Sequence, residues 1–172
     1  MIFEEKKISS QRIYEGAILN VRRDKVTAYG GEAYREIIEH NGAVAMVPIT
    51  EEGNIIMVEQ FRYACGRAVL EIPAGKIDAG ETDPAAVAAR ELREETGIAS
   101  SYFKELRRVV NEQRHFVCVV YFCLTDCDKN SVTLQEGETI DYKWVTKEEI
   151  LKMPSDTLAS VRVLEIFNKM KL

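Results

Sequence analysis

A chain of 172 residues with 23 Lys+Arg against 28 Asp+Glu carries a formal charge of −5. At roughly 150 residues per domain, that length suits one domain with a small accessory piece. With 46% hydrophobic and 30% charged residues the chain is too apolar to be disordered, and its acidic balance speaks against nucleic acid as a partner. No window approaches the ~18 uninterrupted apolar residues of a membrane span. The start, Met1-Ile-Phe-Glu, reaches charge too early for a secretory signal. Cys65, Cys118, Cys123 and Cys127 lack paired-knuckle spacing, which predicts reduced, packed thiols in a cytoplasmic protein.

Residues 1–40 are polar and read as an N-terminal β region, separate from a main domain over 41–172. Val21 to Tyr29 and Ala33 to Glu39 alternate as strands around Gly30-Gly31, a two-glycine hairpin turn. Such an antiparallel ribbon is barely stable alone, so it must lie against the rest of the chain or a second subunit. Ala43 to Ile49 and Ile55 to Phe61 follow as an apolar hairpin, and Val69 to Ile72 is a strand stopped by Pro73. Asp83 as N-cap and Pro84 at the first position open a helix that Gly97 stops, with Ala85, Ala88, Ala89 and Leu92 as its buried stripe. Phe103 to Val110, His115 to Leu124 and Thr139 to Val145 return to strands. A short helix starts near Lys147, and a last one over 156–170 buries Leu158, Val161, Leu164, Phe167 and Met170. Strands, a central helix, more strands and terminal helices make a mixed α+β fold. His40 and His115 have no partners at metal spacing and read as structural, and Cys123 and Cys127 make a poor zinc pair.

The informative segment is GKIDAGETDPAAVAARELREETGI, residues 75–98. On its helix Glu95 lies about 40° from Glu91 and Glu94 about 60° to the other side. Three carboxylates so placed repel one another. A solvated face balanced by Arg90 and Arg93 is the plain reading; a divalent cation is the chemical one, since oxygen donors on a rigid face suit Mg²⁺. The bracketing glycines, the strand delivered by Pro73-Ala74 and the preceding Glu81 favour the cation.

The segment resembles the Nudix box, G-x5-E-x7-R-E-U-x-E-E-x-G-U with U a bulky aliphatic. Gly75, Glu81, Arg90, Glu91, Leu92, Glu94, Glu95, Gly97 and Ile98 fill its defined positions, with one extra residue between Glu81 and Arg90, placed in the loop at Thr82-Asp83. REIIEHNGAVAMVPI and IIMVEQFRYACGRAVLEIPAGKIDAGE are similar to the ADP-ribose and ADP-sugar pyrophosphatase branch. The resemblance implies the Nudix fold, an α/β/α sandwich with a mixed sheet, here preceded by the β ribbon. It implies Mg²⁺, with Mn²⁺ as a possible substitute, held by Glu91, Glu95, the assisting Glu94 and the Ala74 carbonyl. Gly75, Glu81, Arg90 and Gly97 are then structural, with Glu81 contacting the arginine. Arg62 would hold phosphate and Glu71 would sit in the substrate cleft.

Hydrolysis of a diphosphate needs charge neutralisation at phosphorus and a deprotonated water. By the same resemblance, the general base comes from the loop Gln135-Glu136-Gly137-Glu138-Thr139-Ile140-Asp141, with Glu138 first and Glu136 its competitor; Glu138, Glu136 and Glu95 form the expected catalytic set. The N-terminal ribbon implies a homodimer, because in this branch such a region pairs between subunits. The expected reaction is Mg²⁺-dependent cleavage of ADP-ribose or a related nucleoside diphosphate sugar to AMP and a sugar phosphate. The branch commonly has a proline about sixteen residues after the box, where this chain has Val110-Asn111-Glu112-Gln113-Arg114-His115. Arg114 and Gln113 could therefore contact another sugar or more phosphate. The alternatives are a Nudix hydrolase for a nucleoside triphosphate or dinucleotide, and a non-hydrolytic nucleotide-sugar sensor.

Overall fold

The computed structural model describes residues 3–111 and 116–170. The chain divides into two compact units, one of Met1–Gly42 with Val109–Cys118, the other of Ala43–Arg108 with Val119–Leu172. The first takes in a stretch near residue 110 that a division at 40/41 leaves in the second.

The N-terminal region is a sheet of three strands rather than two. β1 (Lys7–Glu15), β2 (Leu19–Ala28) and β3 (Gly31–His40) pair antiparallel in that order. All nine residues of β1 are exposed, so no alternation of burial marked it in the sequence. The β2–β3 turn is Tyr29-Gly30, since Ala28 already pairs with Gly31, and Gly30 takes the positive φ of +84° that the tight turn needs.

A polar cluster ties the three strands together. Asp24 on β2 is 4% exposed; it accepts from the Ser10 hydroxyl of β1 at 2.6 Å and from Arg22 Nε at 3.1 Å. Arg22 and Arg12 both pair with Glu39 of β3. Burial pushes the Asp24 carboxyl up, but Ser10, Arg22 and Lys7 outweigh it and leave it below the usual range. Arg12 and Arg22 hold Glu39 low in the same way.

The second unit carries most of the main sheet. β4 (Ala43–Ile49), β5 (Ile55–Arg62), β6 (Arg67–Glu71), β7 (Ala74–Lys76), β8 (Phe103–Asn111), β9 (Phe116–Leu124) and β10 (Thr139–Val145) form seven strands with the path β10-β5-β4-β9-β8, β6 beside β5 and β7 beside β4. The end of β8 and the start of β9 fall in the first unit. α1 (Pro84–Thr96) packs on β4 and β7. α2 (Lys147–Lys152) and α3 (Arg162–Lys169) cover the other face. Alternation explains the two layers: Val47, Ile49, Ile55 and Met57 meet Ile150, Val163 and Phe167 in one cluster, while Val44, Met46, Ile56 and Val58 point to the α1 side and are fully buried. This is the mixed α+β architecture expected.

Two elements differ from the sequence expectation. β7 follows Pro73 directly: Val44 pairs with Gly75 and Ala45 with Ala74, so a proline that ends one strand also starts the next. The last helix is shorter than 156–170. Leu70 donates to the Thr157 carbonyl and accepts from Ala159 N, both at 2.9 Å, which holds Leu158 as a bridge to β6 and removes it from the helix. Leu158, Phe167 and Met170 are buried as expected, but Val161 is 56% exposed because it caps α3. No disulfide forms among the described residues, and no helix is long and apolar enough to cross a membrane.

Asp24 and Glu39 are both depressed in the folded chain. Their stabilisation is therefore complete above the ordinary carboxylate range, about pH 4, and is lost as pH falls through their folded values. Protection factors of the β1 and β2 amides, taken relative to the intrinsic exchange rate at each pH, should fall on acidification below that range. At neutral pH, Asp24→Ala should weaken protection there by about 1–3 kcal/mol; unchanged protection would remove the cluster as the tie between strands.

Candidate functional site

All the site residues described here belong to the second unit. The helix that carries three of them is set by local signals: Asp83 Oδ1 accepts from Ala85 N at 3.0 Å, Pro84 takes the first position, and Gly97, at φ +71°, donates to the Arg93 carbonyl at 2.9 Å. Its buried face is Val87, Ala88, Leu92, Glu95 and Thr96, with Ala85 and Ala89 only half-buried. The stripe is thus rotated from the expected one, and the rotation has a chemical consequence. Glu95 lies within the docking face, 2% exposed, rather than beside it.

Glu95 meets the sheet at β7. Its Oε2 accepts from Ala74 N at 3.2 Å, and among the described residues no arginine or lysine pairs with it. Burial pushes its carboxyl up to about 8; the Ala74 N–H pulls the other way, and the charges of Glu91, Glu138 and Glu71 add to the rise. Ionising a carboxyl held that high costs on the order of 5 kcal/mol relative to water. A half-exposed ion pair, at roughly 0–1 kcal/mol, could not offset that. A divalent cation could.

Arg90 manages the other carboxylates. Its guanidinium meets Glu81 with two contacts of 3.2 Å, Glu91 at 3.0 Å and Glu94 at 2.8 Å. Glu81 also accepts from Asp78 N at 2.8 Å. That backbone bond and Arg90 depress the Glu81 carboxyl, and these acids together, Glu81 foremost, hold the Arg90 guanidinium above its ordinary value. The structure thus brings Glu81 onto the arginine despite the extra loop residue. It also gives the solvated-face reading a part: Glu94 is exposed and neutralised by Arg90. Glu91 is more enclosed, and burial raises its carboxyl, with Glu94 and Asp78 adding to the rise against Arg90. Gly75 makes room for it: a Cβ there would fall 1.8 Å from Glu91 Cδ. Glycine is needed at this place for space alone.

Across the sheet, Arg62 of β5 pairs with Glu71 of β6 at 2.5 Å. Burial works against the Arg62 charge, but Glu71, Glu95 and Glu138 outweigh it and keep the guanidinium above its usual value. Glu138 ends a turn of residues 136–138 and feeds directly into β10, so its charge acts on both Glu95 and Arg62. Glu136 begins the same turn and is exposed. Arg114, Gln113 and His115 lie outside the described residues. His40 accepts from Gly42 N at 2.8 Å and rests edge-on against Phe116.

Two residues of this neighbourhood were not singled out in the sequence. Asp78, in Gly75-Lys76-Ile77-Asp78, orients Glu81 through its backbone and adds negative charge near Glu91. Gln60 is a buried amide two residues before Arg62. Its signal was a second polar residue, directly after Glu59, that falls on the side of the strand that Ile56 and Val58 bury.

The groups the resemblance assigns to the metal, the carboxylates of Glu91, Glu95 and Glu94 and the carbonyl of Ala74, are all oxygens, though among the described residues no three acidic side chains are already gathered as a metal cluster. That set fits a hard divalent cation, and the buried Glu95, lacking a cationic partner among the described residues, is the observation that calls for one.

The NUDIX domain matches residues 39–165. The chain is similar to the methanol dehydrogenase activator of Bacillus methanolicus, 33% identical over 181 residues that cover 99% of this chain and 97% of that protein. It is similar to the ADP-ribose pyrophosphatase of Bacillus subtilis (strain 168), 36% identical over 154 residues, 87% of this chain and 83% of that one. The ADP-ribose pyrophosphatase of Mycobacterium tuberculosis is 47% identical over 100 residues, 58% of this chain and 48% of that one. Among solved structures, an ADP compounds hydrolase superposes with a TM-score of 0.69 at 18% identity, over 98% of this chain and 95% of that one; that likeness is one of fold.

Gly75→Ala tests the cradle, since its backbone conformation tolerates alanine. The methyl should displace the Glu91 carboxylate and weaken Mg²⁺ binding about tenfold with little change in melting temperature. Calorimetric titration with Mg²⁺ reads this; an unchanged affinity would show that Glu91 does not depend on Gly75.

Proposed function

This chain belongs to the Nudix family, and on that premise we propose that it hydrolyses the diphosphate bond of ADP-ribose or a related nucleoside diphosphate sugar, giving AMP and a sugar phosphate. The observation that carries the proposal is Glu95, buried against Ala74, with no arginine or lysine paired to it among the described residues, and facing the charges of Glu91, Glu138 and Glu71. The named pyrophosphatase relatives support the substrate class.

Glu91 and Glu95, with Glu94 and the Ala74 carbonyl, would hold Mg²⁺, for which Mn²⁺ could substitute. Bound there, the metal supplies neutralisation of the diphosphate and a lowered pKa for water. Arg62 binds a phosphate oxygen, and Glu71 fixes the direction of its guanidinium. Glu138 accepts the proton of the attacking water, its position immediately before β10, where its charge reaches Glu95 and Arg62, favouring it over Glu136. Water adds to phosphorus, the P–O bond of the bridging oxygen breaks, and the departing phosphate carries the negative charge. Arg90 keeps Glu81 out of this chemistry by pairing with it and partly neutralises the assisting Glu94.

The proposal extends to a cytoplasmic homodimer. Tyr34 and Ile38, on one face of β3, are 64% and 56% exposed, apolar surface that a second N-terminal sheet would cover. A second reading has the same chemistry act on a dinucleotide or a nucleoside triphosphate. The segment Val110 to His115, without the proline common in ADP-ribose enzymes, favours it.

A Mg²⁺-dependent panel of nucleoside diphosphate compounds, read by product chromatography, decides. AMP and ribose 5-phosphate from ADP-ribose is the expected result. Faster turnover of a triphosphate or dinucleotide would replace the first reading by the second, and tight binding without turnover would make the chain a sensor. Glu95→Gln should lower metal-dependent turnover by about 10²-fold or more with the fold intact, and near-normal activity in that variant would overturn the metal assignment.

A further inference from the structure

We propose that Gln60 is a positioning residue that holds the turn carrying Glu138 in place, at a cost to fold stability. The inference rests on the reading of Glu138 as the proton acceptor.

Gln60 is 2% exposed. By the alternation of β5 it shares the α1 side of the sheet with Val58 and Arg62. Its register neighbours are Val69 on β6 and Thr139 on β10. The amide Nε2 donates to Thr139 Oγ1 at 3.4 Å, and Oε1 is buried without a hydrogen-bond partner. Turning the amide over changes only which end meets the hydroxyl, since the other end stays unpaired either way. A buried amide with half its hydrogen-bonding capacity unmet is unfavourable for folding. Val58, opposite Glu71 and two residues earlier, shows that the same face accepts an apolar side chain. Packing alone gives no reason for a glutamine here.

Its contact does. Thr139 is the first residue of β10 and the one immediately after Glu138. Its backbone N–H reaches the Gln135 carbonyl at 3.2 Å, closing the turn, and the β10–β5 register is irregular just beyond it, between Thr139 and Asp141. The Gln60–Thr139 hydrogen bond joins side chains across the two strands at that place. At the loop's other side, Thr133 N donates to the Thr96 carbonyl at 3.0 Å, tying the loop to the end of the metal-site helix. Glu138 is thereby suspended between the helix that carries Glu95 and the strand that carries Arg62, the two groups its charge acts on.

The test pairs stability with kinetics in the full chain. Gln60→Met, with similar volume and no amide, should leave the melting temperature unchanged or raised. The same variant should lower kcat about tenfold or more, with KM for the preferred panel compound within about twofold. Thr139→Val should behave alike, and Thr139→Ser should recover most of what valine loses. In a Glu138→Gln background, Gln60→Met should cause no further loss, because its effect passes through Glu138. Several results would overturn the inference: normal kcat in Gln60→Met, equal losses in Thr139→Ser and Thr139→Val, a fall in kcat accompanied by an equal fall in stability, or a full additional loss in the Glu138→Gln background. If the unaltered chain hydrolyses nothing in the panel, the proposed function fails and takes this inference with it. If the chain is active and Gln60→Met is normal, this inference fails alone.

Discussion

A carboxylate buried on the face by which a helix docks is the constraint around which this structure is arranged. Helix α1 could have closed on the sheet with Val87, Ala88 and Leu92 alone. Instead Glu95 takes part in the docking face and meets the backbone of Ala74. That placement needs β7, because only a strand pressed against β4 offers the Ala74 N–H at the right height. It also needs Gly75, whose missing side chain leaves space for Glu91 one helical turn away. The short strand, the glycine and the helix register are three answers to one requirement: carboxylates brought together where water cannot pay their desolvation.

The repulsion that follows is divided between two agents. Arg90 neutralises the outer acids Glu81 and Glu94 and reaches Glu91 from one side. The inner acid, Glu95, is beyond it. An arginine therefore serves the rim, while among the described residues no arginine or lysine pairs with Glu95, which is why the sequence segment looks at once like a salt-bridged helix face and like a metal site. Arg62, held by Glu71 and facing Glu95 and Glu138, gives the opposite side of this region a fixed positive charge suited to phosphate.

What was legible in the sequence was local. Asp83-Pro84 and Gly97 bounded α1 correctly because caps act within one turn, and the apolar runs of β4, β5 and β9 announced themselves by composition. What was not legible was set by pairing across distance. β1 carries no buried residue and so no alternation to read; Leu158 left its expected helix because β6 claimed its neighbours' backbone groups; β7 hid behind a proline. The angular spacing of Glu91, Glu94 and Glu95 placed all three on one arc of the helix, but which of them was buried depended on where the sheet lay. A rotation by about one residue separates a solvated glutamate from a buried one. Gln60 escaped notice for the same reason, since its partner Thr139 lies far along the chain; Asp78 escaped because its hydrogen bond to Glu81 comes from its backbone, which the side chain does not announce.

The most direct test of this account is divalent metal affinity, measured by Mn²⁺ binding under conditions free of substrate, in the unaltered chain, Glu94→Gln and Glu95→Gln. Glu95→Gln should lose about tenfold or more in affinity, while Glu94→Gln, whose partner is Arg90, should stay within about threefold. An equal or larger loss in Glu94→Gln, or undiminished binding in Glu95→Gln, would contradict it.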